Sequence, residues 1–217
     1  MLKFQPSDHK TRRTFVFAAA AIGGALLLGL PGQTRAEPAT GAPAPDFVGV
    51  DTKGQQHRLS DLKGKRVILE WTNHGCPYVG KHYGAGNMQA TQKFARDKGA
   101  VWLSVISSAP GTQGHVSPAE ADELTTSRDA APNAVLLDEK GQIGRLYGAV
   151  TTPHMYIIDT DGTLVYKGAI DSIRSADPGD IPEATNYVKN AMMQLEAGKP
   201  VSPRGTRPYG CSVKYGS

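Results

Sequence analysis

The chain has 217 residues, 39% of them hydrophobic and 20% charged, with 25 glycines, 15 prolines and two cysteines. That composition excludes a disordered or membrane-embedded protein and leaves room for one ordinary domain plus an appendage. The formal charge is +4, but setting aside the five Lys/Arg and the single acid of residues 1–36 leaves 19 residues of each sign, a neutral remainder that offers neither a nucleic-acid surface nor a basic membrane-docking face.

Residues 1–36 place a basic segment before an apolar run at 15–30, a breaker at Pro31-Gly32, and the small residues Thr34 and Ala36 ahead of Glu37. This is the layout of a signal peptide. Arg12 and Arg13, followed by Phe15, resemble the twin-arginine export signal, which implies a periplasmic protein. The run of 16 apolar residues is shorter than the roughly 20 that span a bilayer, so no stable membrane anchor is expected. No cysteine lies near the cleavage site to carry a lipid.

Residues 37–45, "EPATGAPAP", read as a linker. "DFVGVDTKGQQHRL" alternates apolar and polar residues about Lys53-Gly54, which predicts a short hairpin. Residues 67–71, "VILEW", form a continuous apolar strand of the kind buried on both faces of an α/β sheet. Cys76 follows just past its end, where active sites of such sheets gather, and Pro77 suits the first turn of a helix. Gly80, Gly84 and Gly86 make that helix short or broken, with Asn87 capping a second piece that runs to Gly99.

"AVWLSVIS" is the next buried strand, and Ser117 with Glu120 has capping-box spacing around Pro118, predicting a helix. "NAVLLD" reads as a strand, "GQIGRLYGA" as a short helix, and "TTPHMYIIDTDGTLVYKGAI" as two strands joined at Asp161-Gly162. Asp180 and Glu183 repeat the capping-box spacing before a helix whose Ala184, Val188, Met192 and Leu195 share a face, ended by Gly198 and Pro200. Residues 199–217, rich in Pro and Gly, form an irregular and mobile tail.

This order of elements over residues 42–198, with "GCPYV" after a strand, "TTPHMYIID", and "DTDGTLVYKGAID", resembles the thioredoxin fold as elaborated in the alkyl hydroperoxide reductase and thiol-specific antioxidant superfamily. "NHGCPYV" together with the ending "YGCSVKY" is most similar to peroxiredoxin-like redoxins with one active-turn cysteine and one near the C-terminus. The resemblance implies an α/β domain at 46–198: a central mixed sheet flanked by helices, with an N-terminal hairpin and the irregular tail. It also implies that Pro153 is a cis-proline and that the backbone of Thr152 faces the reactive sulfur.

Where Cys-x-x-Cys would place a second cysteine, this chain has Val79. A thiol at a helix N-terminus meets unpaired N–H groups and the positive end of the helix dipole, which favour thiolate, so Cys76 is the expected nucleophile. His74 and Lys81 are candidates to add positive charge, and both are also ordinary solvated turn residues in kind. Attack on a disulfide or peroxide leaves a mixed disulfide or sulfenic acid that a second thiol must resolve, and Cys211 is the other cysteine in the chain. The expected catalytic pair is Cys76 and Cys211, with Thr152 and Pro153 shaping the groove, and the expected activity is thiol-disulfide exchange. A periplasmic electron donor is required, but no bound cofactor and no metal.

Other readings stay open. A Cys76–Cys211 disulfide could instead be a structural staple in a non-catalytic binding domain. Closing a loop of about 135 residues stabilises by roughly 5 kcal/mol in the chain-entropy model. Peroxidase activity is the runner-up: peroxiredoxins resemble one another in a Pro seven residues and a Thr or Ser three residues before the nucleophile, where this chain has Leu69 and Asn73. Thr72 is one residue off, and Arg145 is a conceivable stand-in for the peroxide-polarising arginine. Copper held by Cys76 with His74, His82 or His154 is a further alternative.

Overall fold

The computed structural model describes residues 1–3 and 37–216; the expected signal peptide lies outside the described residues. The sheet is built outward from β3 (Val67–Trp71), whose five residues are all buried. It pairs in parallel with β4 (Val101–Ile106) and antiparallel with β7 (His154–Ile158). β5 (Ala134–Leu137) and β8 (Leu164–Gly168) complete the order β5-β4-β3-β7-β8. Hydrogen bonding on both sides is what a continuous apolar run needs, because neither face nor edge of β3 meets water.

Alternation along β3 sends successive side chains to opposite faces. Ile68 joins Met88, Trp102, Met155, Tyr166, Val188 and Met192 on the face covered by α1 (Pro77–Gly84), α2 (Asn87–Asp97) and α5 (Tyr187–Glu196). Leu69 and Trp71 join Phe47, Leu103, Leu136, Tyr147 and Tyr156 on the other, beside α4 (Gln142–Tyr147). Each such buried side chain contributes about 1.5–3 kcal/mol.

The hairpin of β1 (Val48–Val50) and β2 (Gln56–Arg58) has the expected register about its turn, which the Asp51 carboxylate closes on the N–H groups of Lys53 and Gln55. α3 (Pro118–Ser127) opens with the full capping box: Ser117 Oγ accepts from Glu120 N at 3.3 Å, and Glu120 Oε2 accepts from Ser117 N at 2.7 Å.

Two helix starts differ from expectation. Gly86, at φ 70°, takes the N-cap of α2, and Asn87 instead bonds His82 Nδ1 at 2.8 Å. Asp180 and Glu183 lie in a short 3-10 helix, Pro178–Glu183, and α5 begins only at Tyr187 with Asn186 as its cap, accepting from Lys189 N at 3.0 Å. Pro182 has no N–H to give and Ala184 is extended, so the chain cannot pass from that turn into an α-helix.

Residues 37–45 also depart from a free linker. Gly41 N donates to Leu164 O at 2.7 Å, Leu164 N to Ala42 O at 2.9 Å and Ala44 N to Gly162 O at 2.9 Å, so the segment lies along β8. Among the described residues, no helix is long and apolar enough to cross a membrane.

Two histidines inside the domain make its stability pH-dependent. Burial lowers His82 from 6.5 to about 4, a shift that the Lys81 ammonium reinforces and Asp171 opposes, and burial lowers His154 to about 3. Below about 6.5 the unfolded chain takes up protons on both rings that the folded protein refuses, so the stability held by the neutral rings is complete above that pH and lost as pH falls. Urea midpoints should therefore drop between about pH 7.5 and pH 5, a fall of about 2.5 units that protonates most unfolded histidine, and His154→Gln should drop less. An equal drop in variant and parent would show that other groups carry the acid sensitivity.

Candidate active site

The turn between β3 and α1 is clamped before the helix begins. Asn73 Oδ1 accepts from Gly75 N at 2.9 Å, its Nδ2 donates to Gln113 O at 3.2 Å, and Gln113 Nε2 donates back to Gly75 O at 2.9 Å. Cys76 is then the N-cap of α1, with extended backbone, and Pro77 occupies the first turn. The cysteine is buried, at 1% exposure.

The Thr152–Pro153 peptide is cis, and the Cys76 thiol donates to Thr152 O at 3.1 Å. Thr152 belongs to β6 (Thr151–Thr152), which pairs antiparallel with β9 (Cys211–Ser212) in the register Thr152↔Cys211. The tail thus lies along the cis-proline strand and carries Cys211 to Cys76. Both cysteines are free thiols, and the Thr152↔Cys211 register packs Cys211 against the core cluster that holds Cys76.

The pairing drives the two thiols apart in acidity. For Cys76, burial is the largest single influence and opposes the thiolate. The polar groups that Cys211, Thr152 and the first turn of α1 bring around the sulfur outweigh it, and the thiol is held below its ordinary value. The Thr152 hydroxyl is buried with no hydrogen-bond partner among the described residues. Cys211 is pushed up to about 11 by burial, and then by its bond to Cys76 and the charge developing there. The two thiols therefore differ in acidity, with Cys76 the readier of the pair to ionise.

The tail is irregular as expected, with only the two-residue strand β9, but it is docked rather than mobile. Thr206 N donates to Lys167 O at 3.2 Å, Val213 N to Val150 O at 3.1 Å, and Ala109 N to Lys214 O at 2.9 Å. Tyr215 donates to Ala149 O at 2.7 Å under the Arg145 guanidinium, which lies 4.6 Å from its ring centre. Gly144 makes room for that ring, since a Cβ there would stand 2.4 Å from Tyr215 Oη.

Several expected roles are corrected. Lys81 supports no thiolate: it is fully buried, with Nζ on Asp171 Oδ2 at 3.2 Å and Ile173 O at 3.0 Å, because a buried ammonium needs a carboxylate. His74 is exposed, and it is through its carbonyl that it is held, by Arg128 at 3.2 Å; neither residue is among the groups that depress the Cys76 thiol. Arg145 is spent on Tyr215 and the Gly216 carbonyl, away from any peroxide-polarising position. His82 bonds Tyr209 and Asn87, and His154 bonds Tyr156. Among the described residues no group of three or more His, Cys, Asp or Glu side chains is placed to hold a metal ion.

Sequence reasoning missed Asn73 and Gln113 as clamps, Tyr209 and Asp171 beneath the tail, and Glu70. The last is a fully buried acid receiving Tyr83, Gln92, Trp102 and Ser104, and burial raises its pKa. Its signal was visible: a charged residue in the middle of an otherwise apolar strand.

The AhpC/TSA family profile matches residues 40–167. The thiol-disulfide oxidoreductase ResA of Geobacillus kaustophilus is 29% identical over 131 residues, 57% of this chain and 66% of that protein, just under two thirds of its length. The thioredoxin-like protein YneN of Bacillus subtilis is 31% identical over 125 residues, covering 57% and 68% of the two chains. Among solved structures, an uncharacterized conserved protein from Geobacillus kaustophilus aligns with a TM-score of 0.69 at 23% identity, covering 87% of this chain and 98% of that one. A hypothetical protein from Sinorhizobium meliloti aligns at 0.67 and 21%, covering 84% and 97%. These two show the shared fold. The family match ends before Asp171, Tyr209 and Cys211.

Gly210 is where the tail presses on the site. At φ +130° it lies so close that a Cβ would stand 2.0 Å from Thr152 O. Gly210→Ala should destabilise the fold by about 1–3 kcal/mol and lift β9, so that iodoacetamide alkylates Cys76 faster than in the reduced folded parent. Urea unfolding and mass spectrometry of the alkylated peptide check both; a Cys76 alkylated at the parental rate would mean the close approach is dispensable.

Proposed function

We propose, for a chain that belongs to the AhpC/TSA family, that it is an exported thiol-disulfide oxidoreductase in which Cys76 attacks and Cys211 resolves. The observation that carries this reading is the antiparallel pairing of Cys211 with Thr152, the residue whose carbonyl accepts from the Cys76 thiol at 3.1 Å. The thiol-disulfide oxidoreductase named among the relatives supports the reaction class, and the leader at 1–36 supports export.

The Cys76 thiolate attacks one sulfur of a substrate disulfide, forming a mixed disulfide and releasing the first substrate thiolate, which takes up a proton. Cys211 then loses its proton and attacks the Cys76 sulfur. The Cys76–Cys211 disulfide forms and the second substrate thiol leaves, so two protein thiols have supplied two electrons. A dithiol donor in the periplasm returns the pair to the reduced state. A groove lined by Tyr78, Val150, Thr151, Arg207 and Gly210 opens beside the paired strands and is the approach this reading assigns to substrate.

Burial of Cys76 at 1% exposure favours a second reading for the same pair. A hydroperoxide is small enough to reach a covered thiolate that a protein disulfide meets only when β9 lifts from β6. Cys76 would then be oxidised to sulfenic acid as the peroxide is reduced to an alcohol or water, and Cys211 would condense with it, expelling water.

Steady-state assays of the full chain with a dithiol donor separate these readings. With a small disulfide as substrate, Cys76→Ser should abolish turnover, and Cys211→Ser should halt at a mixed disulfide visible by mass as a substrate adduct on Cys76. Full turnover by Cys211→Ser would remove the resolving role. Faster consumption of hydrogen peroxide than of the disulfide would make the second reading the main one.

A further inference from the structure

Tyr209 lies two residues before Cys211 and is buried, at 4% exposure. Its ring meets Tyr78 edge-on at 5.8 Å between centres, and Lys81 Nζ stands 5.8 Å from the ring centre. Its hydroxyl donates to Asp171 Oδ1 and lies 3.2 Å from His82 Nε2. The other Asp171 oxygen accepts from Lys81. Burial and the Asp171 carboxylate keep the phenol protonated, its pKa raised well above the ordinary value.

Tyr78, Lys81 and His82 all belong to α1, the helix whose N-cap is Cys76. One rigid element therefore holds the nucleophile at its end and the tail's anchor on its side. Gly210, the sole residue between anchor and resolving cysteine, is pressed on Thr152 O and leaves no slack in the connection.

Resting on the Cys76–Cys211 reading above, we propose that Tyr209 is a positioning residue: seated in the Asp171–Lys81–His82 network, it keeps the Cys211 thiol on the Cys76 sulfur, so that a buried polar cluster governs a reaction it does not touch. A network of this kind acts through placement, since a buried ion pair is by itself weak evidence for stability.

The test uses the reduced full chain. Iodoacetamide alkylation of Cys76 is followed by mass spectrometry across pH, and Cys76–Cys211 disulfide formation is timed after adding a small disulfide oxidant. Tyr209→Phe keeps the ring and removes the hydroxyl. It should move the Cys76 alkylation profile up by about one pH unit, the size expected for a weakened hydrogen bond to a charged sulfur. Closure of the disulfide should slow about tenfold, because small misplacements of reacting groups are costly.

Tyr215→Phe, which loosens the other end of the tail at Ala149, should change neither. Tyr78→Leu, which removes the edge-on contact, should shift the profile in the same direction by less, and it serves if Tyr209→Phe does not fold. An unmoved profile in both Tyr209→Phe and Tyr78→Leu, or an equal shift in Tyr215→Phe, overturns the proposal. Should the parent never close the disulfide, it is the Cys76–Cys211 reading that fails; closure at parental speed in Tyr209→Phe removes the anchor alone.

Discussion

The backbone of Thr152 is the point on which three distant segments converge. The Cys76 thiol donates to its carbonyl, Gly210 presses against the same oxygen, and Cys211 pairs with it across a two-residue ladder. Remove that meeting point and the sulfurs have no reason to face each other, for they lie 135 positions apart in the chain. Local geometry alone would give only a cysteine at a helix start; the cis-proline strand turns it into half of a pair.

Burial gives the pair its asymmetry. The cysteine that is more covered is the one whose thiol is depressed, which reverses the usual effect of an apolar surrounding. The reversal comes from the polar groups of Thr152, Cys211 and the first turn of α1 gathered about one sulfur. Cys211 is the less buried of the two and yet is pushed up to about 11, by its own burial and by the neighbouring Cys76 that is better placed to carry the charge. The asymmetry arises without a second cysteine on α1, where Val79 instead packs into the core.

What could be read from the sequence followed from local rules. The apolar run of β3, the box at Ser117 and Glu120, and the turn at Asp161-Gly162 each announce themselves within a few residues, and each stands in the structure. The position of Cys76 was legible for the same reason, while Pro153 as a cis-proline was implied by the resemblance to the thioredoxin fold. Partners chosen over long separations were not. Lys81 looked like a solvated turn residue because Asp171 is 90 positions away, and the tail looked loose because Pro and Gly give no periodicity, while Tyr209 and Tyr215 fasten it by single side chains. At Asp180 and Glu183 a correct spacing lost to Pro182, whose missing donor let Asn186 take the cap.

The closing strands of the sheet show one more consequence of the docked ends. A bridge from Asp51 to Leu136 covers β5, while Gly41, Ala42 and Gly205 bond to the outer side of β8. Outermost strands with open donors and acceptors are templates onto which foreign chains add. Here the first hairpin, residues 41–44 and the tail fill those places, so the segment that brings Cys211 to Thr152 also closes the β8 edge at Lys167, and losing it would leave that backbone open to lateral strand growth.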